Sequence, residues 1–194
     1  MASVVVPFRA GGKTRLPEAI RGEVALAMLG DVLEAATVCG DTRLVTTDPA
    51  AALVAESLGV EVVDDPGGGQ GPAVAAALAG LDGPCVVVNA DVPRVRPSDL
   101  NALAVPARAG LVGLVEARDG TTNALSLPYA EAFLPLYGPG SAAQFRAHAH
   151  ALGIEFDDLE LRNLVDDVDT ERDLERVGPD AGPRTRALLA VIQA

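Results

Sequence analysis

Three groups of residues in this chain have the chemistry to handle phosphates. The apolar run Val4-Val5-Val6-Pro7-Phe8 breaks into Arg9-Ala10-Gly11-Gly12-Lys13-Thr14-Arg15-Leu16, so a strand empties into a glycine-softened loop with three cations just ahead of a helix. Gly11 and Gly12 permit close backbone approach, and Arg9, Lys13 and Arg15 can reach phosphate oxygens, although a solvent-facing turn would use the same residues. Asp91 follows a second apolar run, at the strand edge where α/β proteins bind ligands, and there it suits a divalent ion as well as it suits an Asx-turn or a cap. The third group is Asp166-Asp167-Val168-Asp169. In an extended segment Asp167 and Asp169 share a face, Val168 points to the core, and Asp166 faces away from both carboxylates. A cationic loop with separated carboxylates is the wiring of a nucleotide-using enzyme, and Asp91, Asp167 and Asp169 form the candidate metal set.

The loop lacks the closing Gly-Lys-Ser/Thr of a P-loop and the glycine spacing of a dinucleotide fingerprint, which sets aside those two nucleotide folds. Gly138-Pro139-Gly140-Ser141 places a serine hydroxyl and backbone N–H groups at a helix start, which serves equally as an anion seat for a second substrate or as a plain cap. His148 and His150 have no Cys or His partner at metal-ligand spacing. Ser57, Ser98, Ser126 and Ser141 lack a nucleophile elbow, so direct in-line attack by a bound substrate fits better than a covalent intermediate.

These residues need a scaffold, and the pattern supplies one. Strands are predicted at 4–8, 42–46, 60–63 and 84–88, with helices at 17–36, from Pro49 to the stop at Gly59, and at 72–81, and a long flexible loop at 64–71. Strands without polar alternation, separated by helices, point to a parallel sheet covered on both faces. Beyond Asp91 the order is less regular: strands at 111–115, 123–127 and 154–159, and helices at 128–134, 141–152, 170–177 with Thr170 as cap, and 185–192. The fold class is α/β with a mostly parallel central sheet, in one domain spanning residues 1–194.

Composition narrows the function. A formal charge of −12 repels nucleic acid and anionic lipid, yet a local patch and a bound cation can reverse that field inside a cleft. Only 3% of residues are aromatic, too few for a base-stacking platform. Cys39 and Cys85 are expected to be buried thiols of a reducing compartment. No apolar stretch approaches the ~20 residues of a membrane span, and no secretory leader is evident, so a cytoplasmic protein is expected. The apolar terminal helix allows a homodimer.

The ordered set Pro7-Phe8-Arg9 with Lys13-Thr14-Arg15-Leu16, Asn89-Ala90-Asp91-Val92-Pro93, Gly120-Thr121-Thr122-Asn123-Ala124-Leu125, Gly138-Pro139-Gly140-Ser141 with Phe145-Arg146-Ala147-His148, and Asp167-Val168-Asp169-Thr170 resembles the 2-phospho-L-lactate / phosphoenolpyruvate guanylyltransferases of coenzyme F-420 biosynthesis. The resemblance covers nearly the whole chain. It implies a Rossmann-like three-layer nucleotidyltransferase fold of the nucleotide-diphospho-sugar transferase type. The implied activity is transfer of GMP from GTP to the phosphate of a three-carbon acid, with diphosphate released and Mg2+ as cofactor. Arg9, Gly11, Gly12, Lys13 and Arg15 would meet the triphosphate, and Asp91, Asp167 and Asp169 would hold magnesium. Gly69 and Gly71, within the glycine loop at 68–71, would lie near the guanine, while Thr122, Gly138 and Ser141 would seat the acid. The chain departs from the family pattern in carrying Arg9 for a lysine, Gly71-Pro72-Ala73 for Gly-Leu-Asn, and extra residues between Ser141 and Phe145.

Overall fold

A computed structural model describes residues 1–9 and 15–192. Its single sheet contains β1 Ser3–Pro7, β2 Thr42–Thr46, β3 Glu61–Asp64, β4 Cys85–Val88, β5 Val112–Glu116, β6 Thr122–Leu127 and β7 Phe156–Asp158, in the order β3-β2-β1-β4-β6-β5-β7. The first four strands are mutually parallel. β6 runs antiparallel to both of its neighbours, and β7 returns parallel to β5.

Period-two alternation explains how a strand of valines serves two cores. Val4 and Val6 enter the core beneath α1 Glu18–Thr37, α2 Pro49–Ser57 and α4 Pro97–Arg108, whereas Val5 enters the opposite core beneath α3 Gln70–Leu78 and α5 Ser141–Ala151. The result is a helix–sheet–helix sandwich, as the sequence predicts. The chain builds outward from β1 in one direction through β2 and β3 and in the other through β4. The carboxyl ends of β1 and β4 therefore flank the switch point, where open α/β sheets bind ligands.

A third apolar cluster lies to one side of the sandwich. Leu16, Val24 and Met28 meet Val168, and Leu174 and Val177 of α7 Glu171–Val177, with Leu188 and Leu189 of α8 Pro183–Ile192 packed against them. Asp31, a buried carboxylate in α1, fastens α8 by accepting the N–H groups of Arg184 at 2.8 Å and Thr185 at 3.0 Å. Those are two of the donors a helix start leaves unsatisfied. Thr170 caps α7 as expected, accepting the Asp173 N–H at 3.2 Å while the Asp173 carboxylate accepts the Thr170 N–H at 2.9 Å.

Two ionic ties position the loops above the sheet. Arg9, just past β1, grips Asp65, just past β3, through Nε at 2.6 Å and Nη2 at 3.0 Å. The same carboxylate folds the glycine loop by accepting the Gly67 N–H at 2.8 Å. Hydrogen bonding from Arg9, then from Gly67, holds the Asp65 carboxyl below the usual carboxylate range, although burial opposes the shift. On the other side, buried Asp166 receives Arg94 at 2.7 Å, Arg118, and Arg176 at 3.5 Å.

Two expectations differ. No element is predicted over 97–108, where α4 forms; Pro97 occupies the first turn, where no N–H is needed, and Pro106 falls in the last. Leu100, Leu103, Ala104 and Ala107 form the buried stripe that signals this helix. The helix expected at 128–134 is only a 3-10 turn, Ala130–Ala132, since Pro128 and Pro135 leave too little chain for an α-helix.

Asp31→Ala should lower global stability by about 2 kcal/mol, because two helix-start N–H groups lose their acceptor beside the core; thermal melting checks this. Asp65→Asn should cost roughly 1 kcal/mol at pH 7, Arg9 being partly exposed. A depressed folded-state pKa gives stabilisation that is complete above the unfolded value, about 3.9, and is lost as pH falls through the folded value. The gap in melting temperature between wild type and Asp65→Asn should therefore be widest at neutral pH and close below about pH 4.

Candidate active site

β4 ends at Val88, and the chain turns through Asn89 and Ala90 to put Asp91 above the sheet's carboxyl edge. The segment at 166–169 arrives there extended, its residues alternating between buried and half-buried: Asp166 and Val168 turn inward, Asp167 and Asp169 outward. The Val168 N–H donates to the Asp91 carbonyl at 3.0 Å. Through that register one carboxylate oxygen from each of Asp91, Asp167 and Asp169 lies within 4.8 Å of the other two, each residue half-buried. Three convergent carboxylates form an all-oxygen donor set matched to a hard divalent cation such as Mg2+, so the residues present fit the group that the sequence implies.

Beside this cluster a cavity of about 230 Å³ opens between the ends of β1 and β4. Pro7, Phe8, Ala25, Met28 and Ala73 supply its apolar lining, and Arg9, Asp65, Gln70, Asn89 and Asp91 its polar lining. An apolar wall beside a carboxylate of the candidate metal set can receive a flat base and, next to it, phosphates.

The remaining expected residues fall around this cleft. Arg9 lines it, tied to Asp65. Arg15 is exposed, just ahead of buried Leu16. Gly11, Gly12 and Lys13 lie outside the described residues. Gly69 has φ 113°, a conformation suited to glycine, at the start of α3. Gly71 has a packing reason: a Cβ there would lie 2.5 Å from that of Pro135. Thr122 and Ser141 are brought together, their buried hydroxyls 3.0 Å apart, with the Ser141 N–H donating to the Gly138 carbonyl at 3.0 Å. Ser141, read as either an anion seat or a cap, is the first residue of α5 while Gly140 takes the cap position, and its hydroxyl is paired with Thr122 in the core.

Sequence reasoning missed the partners that shape the cleft. Asp65 stood out only as part of a loop, although its place at the carboxyl end of β3 marked it as a candidate. Asn89 entered only as part of the Asn89–Pro93 run and Gln70 only as part of a loop, since their contact at 2.7 Å joins the turn after β4 to α3. His148, as expected, serves packing: its Nε2 lies 3.1 Å from the Ala132 carbonyl oxygen. No helix among the described residues is long and apolar enough to cross a membrane.

Comparison with known proteins gives relatives in sequence and in fold. The phosphoenolpyruvate guanylyltransferase of Thermomonospora curvata is 38% identical over 209 residues, covering 99% of this chain and 90% of the relative. A solved nucleotidyl transferase from Methanothermobacter thermautotroptrophicus aligns with a TM-score of 0.66 at 21% identity, over 91% of this chain and 95% of its own. CMP:2-keto-3-deoxy-manno-octonic acid synthetase, solved with CTP, aligns with a TM-score of 0.65 at 15% identity, over 98% and 99%. These two share the fold. The family model "Guanylyl transferase CofC like" matches residues 2–179, and with the fold and the acidic cleft in place the chain belongs to that family of nucleotidyltransferases.

Proposed function

We propose that this protein transfers the guanylyl group of GTP to the phosphate of a three-carbon acid, phosphoenolpyruvate ranking ahead of 2-phospho-L-lactate, and releases diphosphate, a step of coenzyme F-420 biosynthesis. The observation that carries the reading is the convergence of Asp91, Asp167 and Asp169 at the switch-point cleft of a CofC-like guanylyl transferase. The name of the Thermomonospora curvata relative supports phosphoenolpyruvate as acceptor.

The reaction needs alignment more than acid–base chemistry. A phosphate oxygen of the acid attacks the α-phosphorus of GTP in line. A new P–O–P bond forms as the bond to the β-bridging oxygen breaks, and diphosphate leaves with that electron pair. The acceptor phosphate is already largely dianionic near neutral pH, so no general base is required. Asp91, Asp167 and Asp169 would hold Mg2+, which when bound screens phosphate charge and polarises the reacting phosphoryl oxygens. Lys13 and Arg15 would meet the triphosphate and the departing diphosphate, with Arg9 held in the cleft lining by Asp65. The acid would sit against the turn of Thr122, Gly138 and Ser141. That turn is near the reacting end, because the Asn89 N–H bonds the carbonyl of Asn123, next to Thr122. The chain's contribution is positional and electrostatic.

Incubated with Mg2+, the four NTPs and phosphoenolpyruvate, 2-phospho-L-lactate or 3-phosphoglycerate, the protein should release diphosphate with GTP and one acid, the product identified by mass. Turnover with a different NTP, or with a sugar phosphate or molybdenum cofactor in place of these acids, would move the assignment to another nucleotidyltransferase. Tight GTP binding without any turnover would make it a nucleotide-binding protein. Asp91→Ala should lower kcat by about a hundredfold or more with the circular dichroism spectrum unchanged, and chelation by EDTA should stop the wild-type reaction until Mg2+ is restored. An active Asp91→Ala enzyme would remove that residue from the metal site.

A further inference from the structure

A relay of three side-chain amides runs from the protein interior into the wall of the cleft, and its direction is fixed. Asn123 Nδ2 donates to the carbonyls of Leu164 at 2.9 Å and Val165 at 3.2 Å. Carbonyl oxygens only accept, so the Asn123 amide faces them with its nitrogen and leaves Oδ1 to accept from Asn89 Nδ2 at 3.4 Å. Asn89 Nδ2 also meets the Thr122 carbonyl at 3.2 Å, a further acceptor that holds its nitrogen inward. Asn89 therefore presents Oδ1 to Gln70, whose Nε2 donates to it at 2.7 Å. Gln70 must turn its nitrogen inward, and its Oε1 becomes the terminal acceptor of the relay.

Gln70 and Asn89 both line the cleft, and Phe8, Met28 and Ala73 supply the apolar wall. The apolar surface suits the faces of a base, whereas Asp91 marks the phosphate end. Resting on the nucleotide cleft described above, we propose that Gln70 determines the choice of base, its side-chain carbonyl accepting from the donor edge of guanine. Guanine offers N1–H and the C2 amine on that edge; adenine seated in the same register offers a lone pair at N1 and a bare C2–H, its own amine lying at C6, where guanine carries a carbonyl. A glutamine free to flip would satisfy either purine. One whose nitrogen is committed to Asn89 opposes adenine with an acceptor against an acceptor, so the relay makes a permissive side chain selective.

The test is calorimetric binding of GTP and ATP, with Mg2+, to wild type, Gln70→Met and Asn89→Leu, each checked for folding by thermal melting. Gln70→Met keeps the volume and removes the acceptor: GTP should bind about tenfold or more weakly while ATP changes by less than about threefold. Asn89→Leu frees the Gln70 amide to turn, so the preference for GTP should narrow chiefly through tighter ATP binding. Parallel changes for both nucleotides, or no change, would overturn the proposal, since a merely structural role moves the two together. Inosine triphosphate and N1-methyl-GTP probe the same edge on the unaltered protein. At least one should bind about tenfold more weakly than GTP, and both binding as GTP does would also overturn it. Wild type that prefers GTP yet releases no diphosphate with any acid would sink the transfer reading and leave the role of Gln70 standing. Transfer that keeps its GTP preference in Gln70→Met would do the reverse.

Discussion

The hydrogen bond from the Val168 N–H to the Asp91 carbonyl, 3.0 Å long, is the join on which the acidic centre depends. It brings together the loop after β4 and a strand-like segment late in the chain, and it sets the register that puts three carboxylates at one point. A single hydrogen bond contributes about 1 kcal/mol net, whereas two unit charges of like sign about 4 Å apart near a protein surface repel by roughly 4 kcal/mol. The join therefore cannot hold the arrangement alone. Burial of Val168 between the two outward carboxylates adds about 1.5–2 kcal/mol. Asp166, one residue earlier and facing the other way, is anchored by arginines from the turn after β4, the β5–β6 connection and α7. Asp166 is thus a fastening for its neighbours, and its position inside an acidic run conceals that difference in role.

The same logic extends through the C-terminal helices. Val168 is part of the cluster that α7 and α8 build against α1, and α8 is latched to α1 by Asp31. The Gly182 N–H, just ahead of α8, donates to the Pro93 carbonyl at 2.7 Å, so the end of the chain also braces the turn that carries Asp91. α8 lies beyond the residues matched by the family model, yet its packing reaches both halves of the acidic centre. In the same cleft the Arg9–Asp65 pair fixes part of the lining, and the glycine loop takes its shape from the same Asp65.

The sequence made the outer parts of this design legible. Runs of valine too apolar to alternate with solvent meant a sheet buried on both faces, and the helical segments between them meant parallel crossovers; both follow from local hydrophobic period, which needs no partner to be read. Asp167 and Asp169 could be placed on one face from their spacing of two, and Thr170 could be named as a cap from its type and position. α4 went unpredicted, although Leu100, Leu103, Ala104 and Ala107 recur at helical spacing. The antiparallel course of β6 escaped because a strand buried along its whole length, as residues 122–127 are, carries no mark of direction.

What the sequence by itself determined was the class of fold and an inventory of charges suited to phosphates and a cation, since residue type and local period are properties of short stretches. The tertiary structure brought the expected set Asp91, Asp167 and Asp169 together, and it alone decided that Asp166 is spent on arginines, that Thr122 and Ser141 satisfy each other, and that Gln70 is oriented through Asn89 and Asn123. Each of those outcomes is a pairing between elements far apart in the chain. The partner is chosen by sheet order and by the need to satisfy every buried polar group, and no local pattern encodes either.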